Sequence, residues 1–284
     1  MSARSANRAP NGRMPLRAHL RELRRRFFLA AIGVLLGAVA GWFAYEPVFE
    51  ALIRPLQQVA TQRHEIVAIN FSGLVASFDM QVQVALFLGV LLSSPWWIGQ
   101  LWAFVTPGLT RRERGYAVSF LAVGVPLFLA GAALAWWALP NAVRFLTAFT
   151  PAGATNLIDA QTYMSFVMRL ILAFGLAFLL PVVMVALTLA GVVRARTWVG
   201  GWRWAVVVIF VFAAVVTPTP DAFTMLGIAL PMTALYGAAM WVCVAHDRRE
   251  DRRRVAAGLP RLDGTVPGER RTGTGGRRPP VADA

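Results

Sequence analysis

Hydrophobic residues in this chain come in long uninterrupted blocks, with the polar residues gathered between them. Residues 27–45 form an uncharged run of about 19 residues, roughly 28 Å as a helix, which is enough to cross the hydrocarbon core of a bilayer. Further apolar blocks occupy residues 82–105, 115–139, 163–190, 204–216 and 222–244. The pattern predicts an all-α integral membrane protein with six transmembrane helices. The fifth block is about 13 residues long, too short for a full-thickness bilayer unless the bilayer thins. Residues 46–81 and 140–162 read as two long loops, and Thr217-Pro-Thr-Pro-Asp221 as a very short turn. A membrane domain over 19–245 is thus flanked by a basic leader, 1–18, and an Arg-, Gly- and Pro-rich tail, 246–284, both expected to be disordered.

Composition agrees: 15% of the 284 residues are charged, against roughly 25% in soluble domains. The net charge of +14 comes from 28 arginines, with no lysine. In a soluble protein this charge would suggest nucleic acid. Here the arginines border apolar blocks, which points to membrane topology and anionic lipid, and no nucleic-acid partner is expected. The leader, the loop around Arg111–Arg114, the loop with Arg194, Arg196 and Arg203, and the tail hold 24 of the 28, and the alternate loops hold three. Positively charged segments stay on the cytoplasmic side, so both termini are predicted cytoplasmic in a prokaryotic plasma membrane. Arg25-Arg-Phe-Phe-Leu29 matches the core of a twin-arginine export signal. However, the apolar run after it is longer than a signal core, and no small-residue cleavage site precedes Tyr45, so it reads as an uncleaved first span. Cys243 is the single cysteine, and no intrachain disulfide can form.

Prolines recur inside four blocks, at Pro95, Pro126, Pro181 and Pro231. Each removes a backbone hydrogen bond and bends its helix, which together fit a curved bundle with a concave side. Groups for catalysis are scarce. His19, His64 and His246 all lie outside the blocks, and Ser93-Ser94 has no base within the membrane, so neither a metal site, a cofactor nor an enzyme is expected. Arg169 is the one charge deep in a block, a candidate for snorkelling, helix pairing or transport. A small-solute secondary transporter is the alternative function, but it calls for repeated halves and a polar midplane site. No internal repeat is visible.

Two acids sit just outside apolar blocks within arginine clusters: Glu22 before the first, and Glu113 after Gln100-Leu-Trp102-Ala-Phe104-Val-Thr-Pro107-Gly-Leu109. Spacing alone favours local pairing, Glu22 with Arg26 and Glu113 with Arg112 or Arg114. The other reading is a pair of acceptors on one membrane face for a guanidinium ligand.

These residues resemble the TatC family, the twin-arginine translocase subunit. His19-Leu-x-Glu22-Leu23-Arg24-x-Arg26 looks like its leader motif. Ser94-Pro-x-x-x-x-Gln100-x-Trp102-x-Phe104-x-x-Pro107-Gly-Leu109-x-x-x-Glu113-Arg114 looks like its first cytoplasmic-loop signature. Ser165-Phe-Val167, Phe174-Gly175-x-x-Phe178-x-x-Pro181, Thr217-Pro218 with Asp221, and Pro231-Met232 with Leu235-Tyr236 are similar to its later blocks.

The resemblance implies a cupped six-helix fold and a receptor that exports folded proteins without catalysis. It gives Glu22 and Glu113 the role of contacting the consecutive arginines of signal peptides, reversing the preference from spacing. Leu23, Arg24, Phe104, Pro107, Leu109 and Arg114 match the surface around them. Thr217, Asp221 and Tyr236 match the docking side for the single-span partners TatA and TatB, in an oligomeric complex. Where the family often has polar residues this chain has Leu179, Gly237 and Met225, which bear on the polar interior and on partner contacts.

Overall fold

The structure is a computed structural model that describes residues 16–63, 67–71, 73–105, 114–148, 156–216, 222–260 and 262. Among these, the chain order is α1 (Leu16–Phe43), α2 (Tyr45–Arg63), β1 (Val67–Asn70), α3 (Ala76–Leu92), α4 (Ser94–Val105), α5 (Arg114–Thr147), β2 (Asn156–Asp159), α6 (Ala160–Leu189), α7 (Ala195–Gly200), α8 (Trp202–Val216) and α9 (Ala222–Ala256).

Each of the six apolar blocks is helical. Among the described residues, four helices are long and apolar enough to cross a membrane, within α1, α5, α6 and α9. The second block is a broken helix, α3 and α4, bent by 60°. The break falls at Ser93, ahead of Pro95, whose missing N–H cannot continue the ladder. Side chains take up the nearby carbonyls: Ser93 Oγ donates to Gly89 O at 2.6 Å, and the Trp97 indole to Val90 O at 2.9 Å. The fifth block, α8, has 15 residues and falls short of a full crossing.

Close contacts fix the direction of each helix. Gly33, Gly37 and Gly41 of α1 lie against Trp96, Gly89 and Ala85, so α1 and α3–α4 run antiparallel. A Cβ on Gly37 would come within 2.8 Å of Gly89 O, and one on Gly89 within 2.5 Å of Val34 O. This small-residue stripe lets the two backbones touch. Phe120 and Phe128 of α5 stack on or abut Trp102 and Trp97 of α4, again antiparallel. Gly131 and Gly175 allow equally close approach of α5 to α6, through the Phe174-Gly175 block. On α9, Cys243 is buried beside Met184 near the end of α6, and the Asp247 carboxylate accepts from Ala195 N at 2.9 Å. The first turns of α1 and the last apolar turns of α9 therefore share one end of the bundle, here termed basal.

Four expectations are corrected. Residues 46–81 are not a plain loop, because they contain α2 and β1. On α2, Leu52, Ile53 and Leu56 are 3%, 6% and 1% exposed, while Glu50, Arg54 and Gln57 face outward. The helix is amphipathic and packs on the opposite end of the bundle from the basal one, where Tyr163 donates to Leu52 O at 3.1 Å. In the expected 140–162 loop, α5 runs on past Pro140 to Thr147, because Leu139, Ala142 and Val143 are buried beneath α2. β2 follows and pairs in parallel with β1, Val67 opposite Asn156 through Asn70 opposite Asp159. The tail is helical from His246 to Ala256, where α9 ends, and Gly258 just beyond it has a φ of +72° that suits a left-handed stop. The leader likewise turns helical at Leu16; residues 1–15 and 263–284 lie outside the described residues.

Candidate functional site at the basal end

The stripe of α1 that packs on α3–α4 continues toward its start through Leu29 to Arg26 and Glu22, each about one helical turn further on. The contacts with α4 keep step. Trp96 donates its indole N–H to Leu29 O at 2.8 Å, and one turn on Arg26 Nη1 donates to Gln100 Oε1 at 3.0 Å. One further turn brings α4 to Phe104, at the level of Glu22. Phe104 is half-buried.

Glu22 is engaged. Arg26 Nε donates to its Oε1 at 2.7 Å, the i,i+4 pair that spacing suggested, with side chains 30% and 25% exposed. One guanidinium thus links the leader acid to Gln100 of the loop signature. Arg26 grips a single carboxylate oxygen through one N–H, whereas an ionised carboxylate offers two oxygens and about four lone-pair sites. Leu23 and Arg24 lie on the other side of α1 and are exposed, as are Leu20, Phe27 and Phe28.

α4 is held to α5 by the Trp102–Phe120 stack, with ring centroids 3.8 Å apart and planes 13° from parallel. The chain leaves α4 at Val105 and re-enters α5 at Arg114, so both ends of the connecting segment sit at the basal end. Pro107, Leu109 and Glu113 belong to that segment and lie outside the described residues, as does the Arg114 side chain. Thr217 and Asp221 are likewise outside them. Tyr236 is half-buried and donates to Trp198 O at 3.2 Å, joining α9 to α7.

Residues 18–231 match the family model described as Sec-independent protein translocase protein (TatC). The chain belongs to the TatC family. A TatC of Xylanimonas cellulosilytica is 56% identical over 245 residues, covering 86% of this chain and 89% of that protein. A TatC of Deinococcus radiodurans is 34% identical, covering 78% and 83%. A crystal structure of the twin-arginine translocase receptor TatC superposes with a TM-score of 0.64 at 31% identity, covering 80% of this chain and 98% of that one. This chain is therefore a translocase component of the twin-arginine type, rich in apolar helices as a multi-pass membrane protein is.

Leu179 is 4% exposed and packed with Ile98 and Phe128 between α4, α5 and α6. Met225 packs on the main core, and nothing lies within 4 Å of a Cβ added to Gly237. Several supporting residues escaped the reading of the sequence. The Gly33-x-x-x-Gly37-x-x-x-Gly41 spacing was a visible signal for close helix packing. The Arg26–Gln100 bond joins residues 74 apart and left no local trace.

Proposed function

We propose that this chain is the receptor core of a twin-arginine translocase, binding the paired arginines of export signal peptides at its basal end with Glu22 and Glu113 as the acceptors. The observation that carries this reading is the Glu22–Arg26–Gln100 chain, which holds the leader acid beside the root of the α4–α5 segment that bears Glu113. Arg26 orients the Glu22 carboxylate through Oε1, leaving Oε2 for a guanidinium of the peptide. The internal pair is partly exposed, so it contributes little, ~0–1 kcal/mol, and an incoming arginine can share or replace it at small cost. Exposed Leu23, Arg24, Phe27 and Phe28 offer apolar and hydrogen-bonding surface for the residues flanking the arginine pair, joined by Phe104, Pro107, Leu109 and Arg114.

The concentration of 24 of the 28 arginines in the leader, two alternate loops and the tail supports a cytoplasmic basal end with both termini inside, and six membrane crossings with α8 as a short fifth. Thr217, Asp221 and Tyr236, near the α8–α9 connection and along α9, are the proposed docking side for the single-span subunits TatA and TatB in an oligomeric translocase. Family membership displaces the small-solute transporter.

The test is photocrosslinking from position 113 to a twin-arginine peptide and to its twin-lysine version, with Glu22→Ala and Glu113→Ala binding measured in parallel. A hydrogen bond to a charged group is worth ~1.5–3 kcal/mol, so each substitution is expected to weaken binding roughly tenfold to a hundredfold. Lysine cannot make the bidentate contact, and equal crosslinking of both peptides would overturn the assignment.

A further inference from the structure

Toward the opposite end of the bundle, one face of α6 carries Thr162, Ser165 and Arg169, spaced three and four residues apart. They line a cleft of about 660 Å³ together with Gln83 of α3, Asp159 and Val215 of α8. Arg169 is exposed into this space, nine residues into α6, or roughly 14 Å along its axis, and the helix beyond it is apolar. A guanidinium at such depth is costly unless it is hydrated or meets an anion. Among the described residues no carboxylate forms an ion pair with it.

The polar neighbours are arranged to donate. Ser165 Oγ donates to Gln83 Oε1 at 3.1 Å, which occupies the amide oxygen and leaves the amide N–H groups for a ligand. Asp159 caps α6 through Oδ2, which accepts from Thr162 N and Thr162 Oγ, both at 2.9 Å. One guanidinium and one amide thus face the cleft as donors, a set that suits the non-bridging oxygens of a phosphate.

The shortness of α8 says what brings a phosphate there. Its 15 residues span roughly 22 Å against a hydrocarbon core of about 30 Å, so a bilayer beside α8 must thin or bring its headgroups inward. Val215, at the end of α8, forms a wall of this cleft. The step at the end of α8 and Arg169 therefore lie at one cleft.

We propose that this cleft binds the phosphate of a membrane phospholipid, held by Arg169 and Gln83, and so anchors a locally thinned leaflet against α6 and α8.

The test reconstitutes the full chain in vesicles of phosphatidylcholine with a trace of photoactivatable phosphatidylglycerol, its reactive group close to the headgroup, and maps labelling by peptide mass spectrometry. A diacylglycerol probe without phosphate is the comparison, and labelling along the outer face of α1 the internal reference. Wild-type protein is expected to label within 159–173 about tenfold more with the phospholipid than with diacylglycerol. Arg169→Gln is expected to lower that labelling about tenfold, with Arg169→Lys and Gln83→Leu intermediate. If Arg169→Gln does not assemble, the intermediate variants carry the same comparison. Equal labelling by diacylglycerol, or no change in any variant, would overturn the proposal. Competition by millimolar inorganic phosphate would assign the cleft to free phosphate instead. Displacement by an added transmembrane peptide bearing one carboxylate would assign it to a partner helix.

Discussion

Gly37→Leu tests whether the contact of α1 with α3 is what holds Glu22 in place. The first atom of any side chain at this position comes within 2.8 Å of Gly89 O and 3.1 Å of Gly89 Cα, both backbone atoms that no rotamer change can move. Ordinary contact begins near 3.4 Å, so the helices must part by about 0.6 Å for the Cβ alone, and further for the rest of a leucine. Overpacking of this kind costs ~1–3 kcal/mol. Parting the helices also strains the Trp96–Leu29 and Arg26–Gln100 hydrogen bonds, each worth about 1 kcal/mol net. In a domain of this size 1 kcal/mol moves the melting temperature by roughly 2–4 °C, so a fall of about 2–12 °C is expected in detergent. Binding of a twin-arginine peptide should fall with it, because the orientation of Glu22 depends on the same register. Gly237→Ala is the matched control. It adds a methyl group where nothing lies within 4 Å, and alanine is the better helix former, so stability should hold or rise slightly. A Gly37→Leu protein with unchanged melting temperature and peptide affinity would refute the reasoning.

Gln100→Leu removes the α4 anchor of Arg26 without touching Glu22, and peptide affinity should drop severalfold, for the loss of about 1 kcal/mol, with little change in melting temperature. Trp102→Ala removes the stack on Phe120 that closes α4 onto α5; the expected destabilisation of ~3–5 kcal/mol should appear as a lower melting temperature and faster proteolysis between residues 105 and 114. Leu179→Glu places a carboxylate between Ile98 and Phe128 at a site 4% exposed, and a loss of several kcal/mol is expected, read as poor membrane accumulation; the isosteric Leu179→Met should be nearly neutral.

Individual elements differ in how far they could be read in advance. Pro95 announced a bend in the second apolar block, and the chain breaks there by 60°. What Pro95 could not announce is that Trp97 and Ser93 would take up the carbonyls at the break, since that depends on where their side chains point in the folded helix pair. α2 was missed because its polar and apolar residues average out, and a search for apolar blocks discards it. Its period of Phe49, Ile53 and Leu56 was nevertheless in view. The extension of α9 to Ala256 was missed for a related reason: Arg-rich composition resembles disorder until a helix already running from the membrane carries on through it. At the candidate site, Glu22 was legible as an acid with a partner at Arg26, and that pair is formed. The third member, Gln100, was legible only as part of a motif.

By itself, the sequence determined which blocks are helical and apolar, how arginines divide between alternate connections, and which family motifs stand in order from His19 to Tyr236. These are local properties, set by hydropathy, charge and residue type within a turn or two of chain. Tertiary structure decided what the motifs do for one another. It brought Gln100 to Arg26 and hence to Glu22, placed Leu179 in an apolar core, covered one end of the bundle with α2, and gathered Gln83, Ser165 and Arg169 around one cleft. The reason is one of distance along the chain: these partners stand 74 and 82 residues apart, and nothing in a window of sequence carries information about a hydrogen bond that forms only when two helices pack.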